Sequence, residues 1–538
     1  MDDATIKAKR LIRENGPTKL LDSIWSKYRT VVPKKELGAS VISSPERLLA
    51  IQREHAAAND EQDFLSFAWL RRRLAEVNEL ALQPYFAVIA DDHVPAFGTL
   101  EENYRALIDA IITVSVRANV ELGYWIHGRY VIDSDYGKLL DRLQERPAFQ
   151  IRLDSGEKTL VFFIERWHLK NQVLSAPRLN PITRQIYIDS PSARAFLETP
   201  GKELRELYPL PLLEDCTFEI DVVYTWVNSE DPDWRAMLAE HQDQPLDATE
   251  GEVDSDRFLS RDELRYSLRS LLKNAPWVRQ IHIASNCKPP EWFDETNDRV
   301  RWVYHEEFID PEYLPTFSSH AIETSLHKIP DLSEHFLYFN DDIFVLKPIK
   351  KSDFFLPNGL AKIRPEAWGK VHGELDSEHP DYMNAARNVQ ALLQEEFGKV
   401  ATRLHTHTPQ SMKVSVVEAC ETMFKEAYEQ TRSNKFRSIT DISPSSFMYP
   451  NFAYLTGEAV MDYPKTSLLN ARHRYKVALD GYLELLALGR FDDLPLTVCI
   501  NDGGGSTTNE EWSDIITGFM QAAFDEMSEA EKGYEGPS

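Results

Sequence analysis

Cysteine is scarce: the 538 residues hold four, Cys216, Cys287, Cys420 and Cys499, far apart and with no C-x-x-C pair. That excludes a disulfide framework and a cysteine-built zinc site, and it fits a reducing compartment. Long apolar runs are missing too, since none approaches the roughly 20 residues of a membrane-spanning helix. The opening stretch, MDDATIKAKRLIRENG, lacks the apolar core of a secretory signal, so the expected location is cytoplasmic. Positive charge is in deficit, with 60 Lys and Arg against 86 Asp and Glu and a formal charge of -26. That balance argues against nucleic acid as a partner, which needs a basic footprint. An anionic ligand would have to be met by local cations, helix N-termini or a bound metal. Internal repeats and low-complexity tracts are absent.

What is present is core material: 42% hydrophobic and 11% aromatic residues, enough to exclude wholesale disorder. Residues 1–75 read as a helical amino-terminal segment with nine Lys/Arg up to Glu36 against five acids. A basic amphipathic helix can lie on anionic lipid at the inner face of the cell membrane. Dilution of its charge by Asp2, Asp3, Glu14 and Asp22 favours a helical lid packed on its own protein. Residues 76–215 read as a small α/β accessory region, in which YFAVIA, GYWIHGRYVI, TLVFFIERW and RQIYID are strands and ENYRALIDAIITV is a helix. It shows no reactive cluster, so binding of an acceptor or partner is expected there rather than catalysis.

From residue 216 to 538 the pattern is α/β, and a mostly parallel sheet flanked by helices is expected. IDVVYTWV is a continuous apolar run suited to a strand buried on both faces. SRDELRYSLRSLLKN is a helix that Ser260 can cap with Glu263 three residues on, and Leu264, Leu268, Leu271 and Leu272 form its apolar face. RQIHIAS, RWVYHEE and HFLYFNDDIFVL read as further strands, HAIETSLHKI as a helix, and about 360–430 as a helical insertion. NEEWSDIITGFMQAAFDEM reads as an amphipathic helix with Trp512, Ile515, Ile516, Phe519, Ala523 and Met527 on one side.

Asn340-Asp341-Asp342 interrupts an apolar strand. Adjacent carboxylates are costly to bury unless a cation neutralises them, and a divalent metal that also holds substrate phosphates would do so; a polar strand end capping nearby backbone is the bland alternative. Asp221 and Asn228 flank the first buried strand, and Asn501-Asp502 opens a Gly503-Gly504-Gly505 segment. Each Asx alone is a turn residue as readily as a site residue. Glu323, near a helix start that Ser318 or Ser319 can cap, can accept a proton or merely face the helix dipole. His327, four residues on, is expected on the same face. His407 and Arg437 suit developing phosphate charge, although spacing alone does not join them.

The blocks IDVVYTWVNSEDPDW, RFLSRDELRYSLRSLLKNAPWVRQIHIASN, LPTFSSHAIETSLHKIPDLSEHFLYFNDDIF, HTPQSMK…FRSITD and CINDGGG stand in an order that resembles the four conserved regions of the Stealth family of sugar-1-phosphate transferases. The resemblance spans about residues 218 to 527 and leaves residues 1 to about 215 outside. It implies a glycosyltransferase-A-like catalytic domain, a nucleotide-sugar donor (usually UDP-linked), a glycan acceptor and Mg²⁺ or Mn²⁺. It also implies attack of an acceptor hydroxyl on the β-phosphorus with release of UMP, in capsule or exopolysaccharide synthesis. By position in the blocks, it makes Asp341, Asp342 and Asp502 metal acids, and Glu323, His407 and Arg437 catalytic. Asp221, Asn228, Arg257, Asn286 and Asn340 would be near the nucleotide sugar. His320 follows the bacterial form of its motif. Two rival readings are open: a glycosyltransferase that attacks the anomeric carbon and releases UDP, and a catalytically silent glycan-binding scaffold.

Overall fold

The computed structural model describes residues 65–534 apart from 78–84, 90–93, 127–128, 133–141, 143–145, 157, 229–230, 243–260, 471–474, 488–489 and 502–509. Most of the basic amino-terminal segment therefore lies outside the described residues, as do Arg257, Ser260, Asp502 and the triple glycine. The chain divides into two units between Leu207 and Tyr208.

In the first unit, nine strands form one sheet: β1 (Tyr85–Val88), β2 (Ala96–Leu100), β3 (Glu121–Ile126), β4 (Arg129–Ile132), β5 (Ala148–Asp154), β6 (Thr159–Lys170), β7 (Val173–Ser175), β8 (Gln185–Tyr187) and β9 (Lys202–Glu203). Their order is β4-β3-β5-β6-β2-β1-β9, with β7 on β6 and β8 on β7. All pairs are antiparallel except β2–β6 and β1–β9. GYWIHGRYVI, read as one strand, is the hairpin β3–β4. The alternation of β5 turns Phe149, Ile151 and Leu153 inward, where they share a core with Leu107, Ile108 and Ile111 of the helix Tyr104–Arg117. A second helix, Phe67–Ala75, is capped by Ser66 Oγ accepting from Trp69 N at 3.0 Å and adds Trp69, Leu70 and Leu74 to that core.

The second unit is built on a five-stranded sheet of β10 (Ile220–Thr225), β11 (Ile281–Ser285), β12 (Val300–Tyr304), β13 (His335–Asn340) and β16 (Gln410–Lys413), in the order β12-β11-β10-β13-β16. The first four run parallel and β16 is antiparallel to β13, which gives the helix-covered, mostly parallel sheet expected. β10, β11 and β13 are buried almost throughout, as continuous apolar runs require. The helix Glu263–Asn274 packs Leu264, Leu268 and Leu271 into the core. It is preceded by Asp262 in the left-handed region (φ 64°), without a side-chain cap.

HFLYFNDDIFVL is not one strand. It breaks after β13, and β14 (Ile343–Phe344) joins a different sheet, antiparallel to β19 (Val498–Asn501), which in turn runs parallel to β18 (Ser467–Asn470). Polar groups on the helix Glu263–Asn274 hold the diverted segment: Ser267 Oγ donates to Ile343 O, Ser270 Oγ accepts from Val345 N (3.0 Å), and Asn274 Nδ2 donates to Val345 O (2.7 Å). A further small sheet pairs β15 (Ala361–Ile363) with β17 (Ala459–Met461). Helices Asp381–Phe397, Val414–Met423 and Lys425–Ser433 occupy and follow the expected helical stretch. In the helix Glu510–Ala523 the buried residues are Trp512, Ile516, Phe519 and Met520; Met527 lies beyond its end and is 42% exposed. Past that helix, Glu531 is buried between Arg269 and Arg265, accepting Arg269 Nε at 2.7 Å and Arg265 Nε at 2.6 Å. No described helix is long and apolar enough to cross a membrane.

Candidate active site

In a parallel sheet, the carboxyl ends of the strands leave backbone and loops free to build a ligand site. Here that edge is marked by Thr225, Ser285, Tyr304 and Asn340, the last residues of β10, β11, β12 and β13. Asn228 follows β10, Asn286 follows β11, and Asp341 and Asp342 follow β13, so four sequence-selected positions converge with Asn340 on one edge.

The β14–β19 pairing draws the last motif in. Ile343 faces Cys499, and Ile500 N donates to Asp342 O at 2.9 Å. Asp342 Oδ2 then accepts from Asn501 Nδ2 (3.0 Å) and from the Cys499 thiol (3.4 Å). Its Oδ1 is buried with no hydrogen-bond partner among the described residues. Burial pushes the Asp342 carboxyl pKa up, opposed by the Asn501 amide, nearby His407 and the Cys499 thiol. His407 itself is exposed. A buried carboxylate oxygen lacking a donor is costly unless a cation meets it. Asp341 and Asp342 therefore fit a hard divalent ion, which takes carboxylate oxygens and retains waters.

Glu323 ends the short helix Ser319–Glu323, which Ser318 Oγ caps at 3.4 Å from Ala321 N. Its carboxylate is held from both sides: Oε2 accepts from Ser445 Oγ and from Ser445 N (3.3 Å), and Oε1 accepts from Tyr338 Oη (3.4 Å). Tyr338 Oη is 3.0 Å from Thr225 Oγ1, which ties Glu323 to the same sheet edge. At the other end of that helix, Arg437 Nη2 donates to Ser319 Oγ (2.8 Å). Five helical residues span about 6 Å, so Arg437 and Glu323 are neighbours across one short element. His320, next to Ser319 on that helix, pairs through Nδ1 with the buried Asp441 Oδ2 at 3.1 Å.

Two expectations change. The helix ends at Glu323, so His327 does not share its face; it sits in a separate turn, Leu326–Lys328, with Nε2 2.8 Å from Glu421. Asp221 is not brought to the others. It lies at the amino end of β10, opposite Phe336 rather than Asn340, fully buried under Arg279 Nε (2.9 Å) and Nη2, Gln280 N (3.1 Å) and Ser333 N (2.8 Å). Burial would raise its pKa, but the bonds from His282, Arg279 and Ser333 prevail and hold it at about 2. His282 stands 3.5 Å away, beyond good hydrogen-bond geometry, so the Arg279 fork accounts for most of the lowering. Asp221 braces the sheet. Arg257 and Asp502 lie outside the described residues.

Sequence reasoning passed over Tyr338, Ser445 and Asp441. Tyr338 reads as core within an apolar strand, and the other two are more than a hundred residues from their partners.

Family models for Stealth protein conserved regions 1, 2 and 3 match residues 218–240, 257–363 and 406–454. The capsular polysaccharide phosphotransferase SacB of Neisseria meningitidis serogroup A is 37% identical over 478 residues, covering 87% of this chain and 86% of that protein. An exopolysaccharide phosphotransferase of Streptomyces coelicolor is 35% identical over 390 residues, 69% of this chain and 70% of its own length. Among solved structures, an active-site mutant of LgtC aligns with a TM-score of 0.27 and 8% identity, over 55% of this chain and 95% of that one. An alignment of 478 residues cannot fit between 218 and 538, so the likeness reaches into the first unit, which the motif blocks had left outside.

Proposed function

Because the chain belongs to the Stealth family, with capsular and exopolysaccharide phosphotransferases as relatives, we propose that it transfers a hexose- or hexosamine-1-phosphate from a UDP-linked sugar to a glycan hydroxyl. The product is a phosphodiester within a capsule or exopolysaccharide, and UMP leaves. The observation that carries this reading is the meeting of Asp341, Asp342, Asn501 and Glu323 at the carboxyl edge of the sheet, with one Asp342 oxygen buried and unmet.

Phosphoryl transfer asks for charge neutralisation and in-line positioning more than for covalent help. A divalent ion such as Mg²⁺ or Mn²⁺, held by Asp341, Asp342 and Asp502, would supply neutralisation of the diphosphate. The chain's own groups do the rest. Glu323, fixed by Ser445 and Tyr338, takes the proton of the acceptor hydroxyl as its oxygen bonds to the β-phosphorus. The bond from that phosphorus to the bridging oxygen breaks, and the electron pair leaves with UMP. Arg437 and His407 stabilise charge on the transferring phosphate and the leaving nucleotide. Asn228, Asn286 and Asn340 line the donor's path.

Incubation with a panel of UDP- and GDP-sugars, a glycan acceptor and Mg²⁺ or Mn²⁺ tests this. UMP with phosphodiester-linked product is expected. Release of UDP with no phosphate in the product would show attack at carbon, and donor binding with no turnover would indicate a scaffold.

A further inference from the structure

Three buried histidines of the second unit stand beside carboxylates: His282 by Asp221 (3.5 Å), His327 by Glu421 (2.8 Å) and His320 by Asp441 (3.1 Å). They differ in what the rest of the ring meets. Both ring nitrogens of His282 and Nδ1 of His327 are sealed from solvent, so those rings belong to the core. His320 is open on one side. Its Nδ1 holds Asp441, its Nε2 has no hydrogen-bond partner among the described residues, and the 7% of its side chain that solvent reaches includes that nitrogen. Asp441 is itself fixed from three directions. Its Oδ2 also accepts from Ser438 N (3.0 Å), its Oδ1 from Asn434 Nδ2 (2.7 Å), and its backbone carbonyl from Asn388 Nδ2 (2.8 Å). A carboxylate only accepts, so the proton of the neutral ring sits on Nδ1 and Nε2 presents a bare lone pair. A buried aspartate that fixes tautomer and orientation from behind is how an imidazole is aimed at a substrate.

We propose that His320 Nε2 accepts a hydrogen bond from a hydroxyl of the acceptor sugar, beside the hydroxyl that Glu323 deprotonates, and so helps to select the sugar and the ring position that receive the phosphate. The inference rests on the transfer reading above and adds how the acceptor is recognised. His320 precedes Glu323 by three residues on the helix Ser319–Glu323, a spacing that puts two side chains on one face with Cβ atoms about 5–6 Å apart. Two hydroxyls of one sugar ring can meet both. The turn that holds Asp441 also carries Arg437, next to Ser438, and Arg437 donates to Ser319 at the start of that helix. The open nitrogen therefore lies between the base and the arginine assigned to the transferring phosphate. A lone pair repels phosphate oxygens and asks for a donor, which a sugar hydroxyl supplies and the diphosphate does not.

The test uses the full-length chain, a UDP-sugar, and methyl glycosides of hexoses and N-acetylhexosamines as acceptors, each beside its monodeoxy analogues. For its best acceptor the parent is expected to show a KM at least tenfold higher with one analogue that retains the reacting hydroxyl, because a site built to hydrogen-bond a hydroxyl rejects the sugar that lacks it. His320→Phe keeps a ring without a lone pair. It should raise the KM of the intact acceptor at least tenfold and treat the intact and deoxy sugars alike. Asp441→Asn can turn an amide N–H to Nδ1 and move the ring proton to Nε2; it should lose the same discrimination with the imidazole in place, and it serves if His320→Phe no longer binds UMP. A histidine that only braced the fold would lower activity on intact and deoxy sugars by one factor. Discrimination absent from the parent, or surviving in the variants, would overturn the assignment. Where nothing turns over, the same comparisons are read as acceptor Kd by calorimetry. UMP release without discrimination that depends on His320 leaves the transfer reading standing. UDP release with it sinks that reading and keeps the acceptor contact.

Discussion

Asp342 keeps one carboxylate oxygen buried and unpaired among the described residues, a state that costs folding energy and that a bound cation would offset. Asp342→Asn removes the buried charge. Its thermal midpoint without added metal should rise or hold, while the rate of phosphodiester formation falls about a hundred- to a thousand-fold. A lower midpoint together with near-parental activity would contradict the site. Two histidines carry a different signature. Burial holds His305 at about 4 and His405 at about 3, against about 6.5 when unfolded. The unfolded chain therefore binds more protons at each position between those values, and stability falls as pH drops below 6.5. From pH 7 to 5 each should remove about 2 kcal/mol, as read by urea unfolding. His405→Asn should flatten its share of that slope. Asp341 and Asp342 were legible because carboxylates cannot sit unnoticed inside an apolar run. Asp221 was misread because a carboxylate beside a buried strand looks alike at either end. The strand's direction shows that only its carboxyl end meets the ligand edge.

At the level of elements, apolar runs identified β10, β11, β12 and β13, and leucine spacing identified the helix Glu263–Asn274. The break after Asn340 was not legible, because Ile343 and Phe344 are as strand-like as what precedes them. Only pairing with β19 and the hydroxyls and amide of Ser267, Ser270 and Asn274 divert them. The same limit applies to the helix Ser319–Glu323, whose end at Glu323 separates His327 onto a different turn. Another cross-chain tie is strong enough to measure. Glu531 is 1% exposed between Arg269 and Arg265, and removing one partner of a buried ion pair typically costs about 3–5 kcal/mol. Glu531→Gln should lower unfolding free energy by about 3 kcal/mol with little change in the Kd for UMP. A loss below 0.5 kcal/mol would mean that the segment is held by packing alone.

Taken as a whole, the molecule keeps its sequence-selected chemistry in one unit, while SacB matches it across 87% of its length. The first unit was legible as a strand-rich region with a helix, but β2, β5, β7 and β9 were not. They are short or mixed in polarity and gain their stability from neighbours across the sheet. Each unit has its own apolar core, so each can be asked to fold alone. A chain covering residues 208–538 should bind UMP as the parent does but transfer to a glycan acceptor at least tenfold more slowly, if the first unit grips the acceptor. Undiminished transfer would remove that role.

The burial of Glu531 also bears on how the protein is made. It is the countercharge for guanidinium groups on a helix laid down more than two hundred and fifty residues earlier. Nascent chains that stop short of it would leave those cations stranded against the core, exposing truncated products to cellular proteases before they could compete for donor.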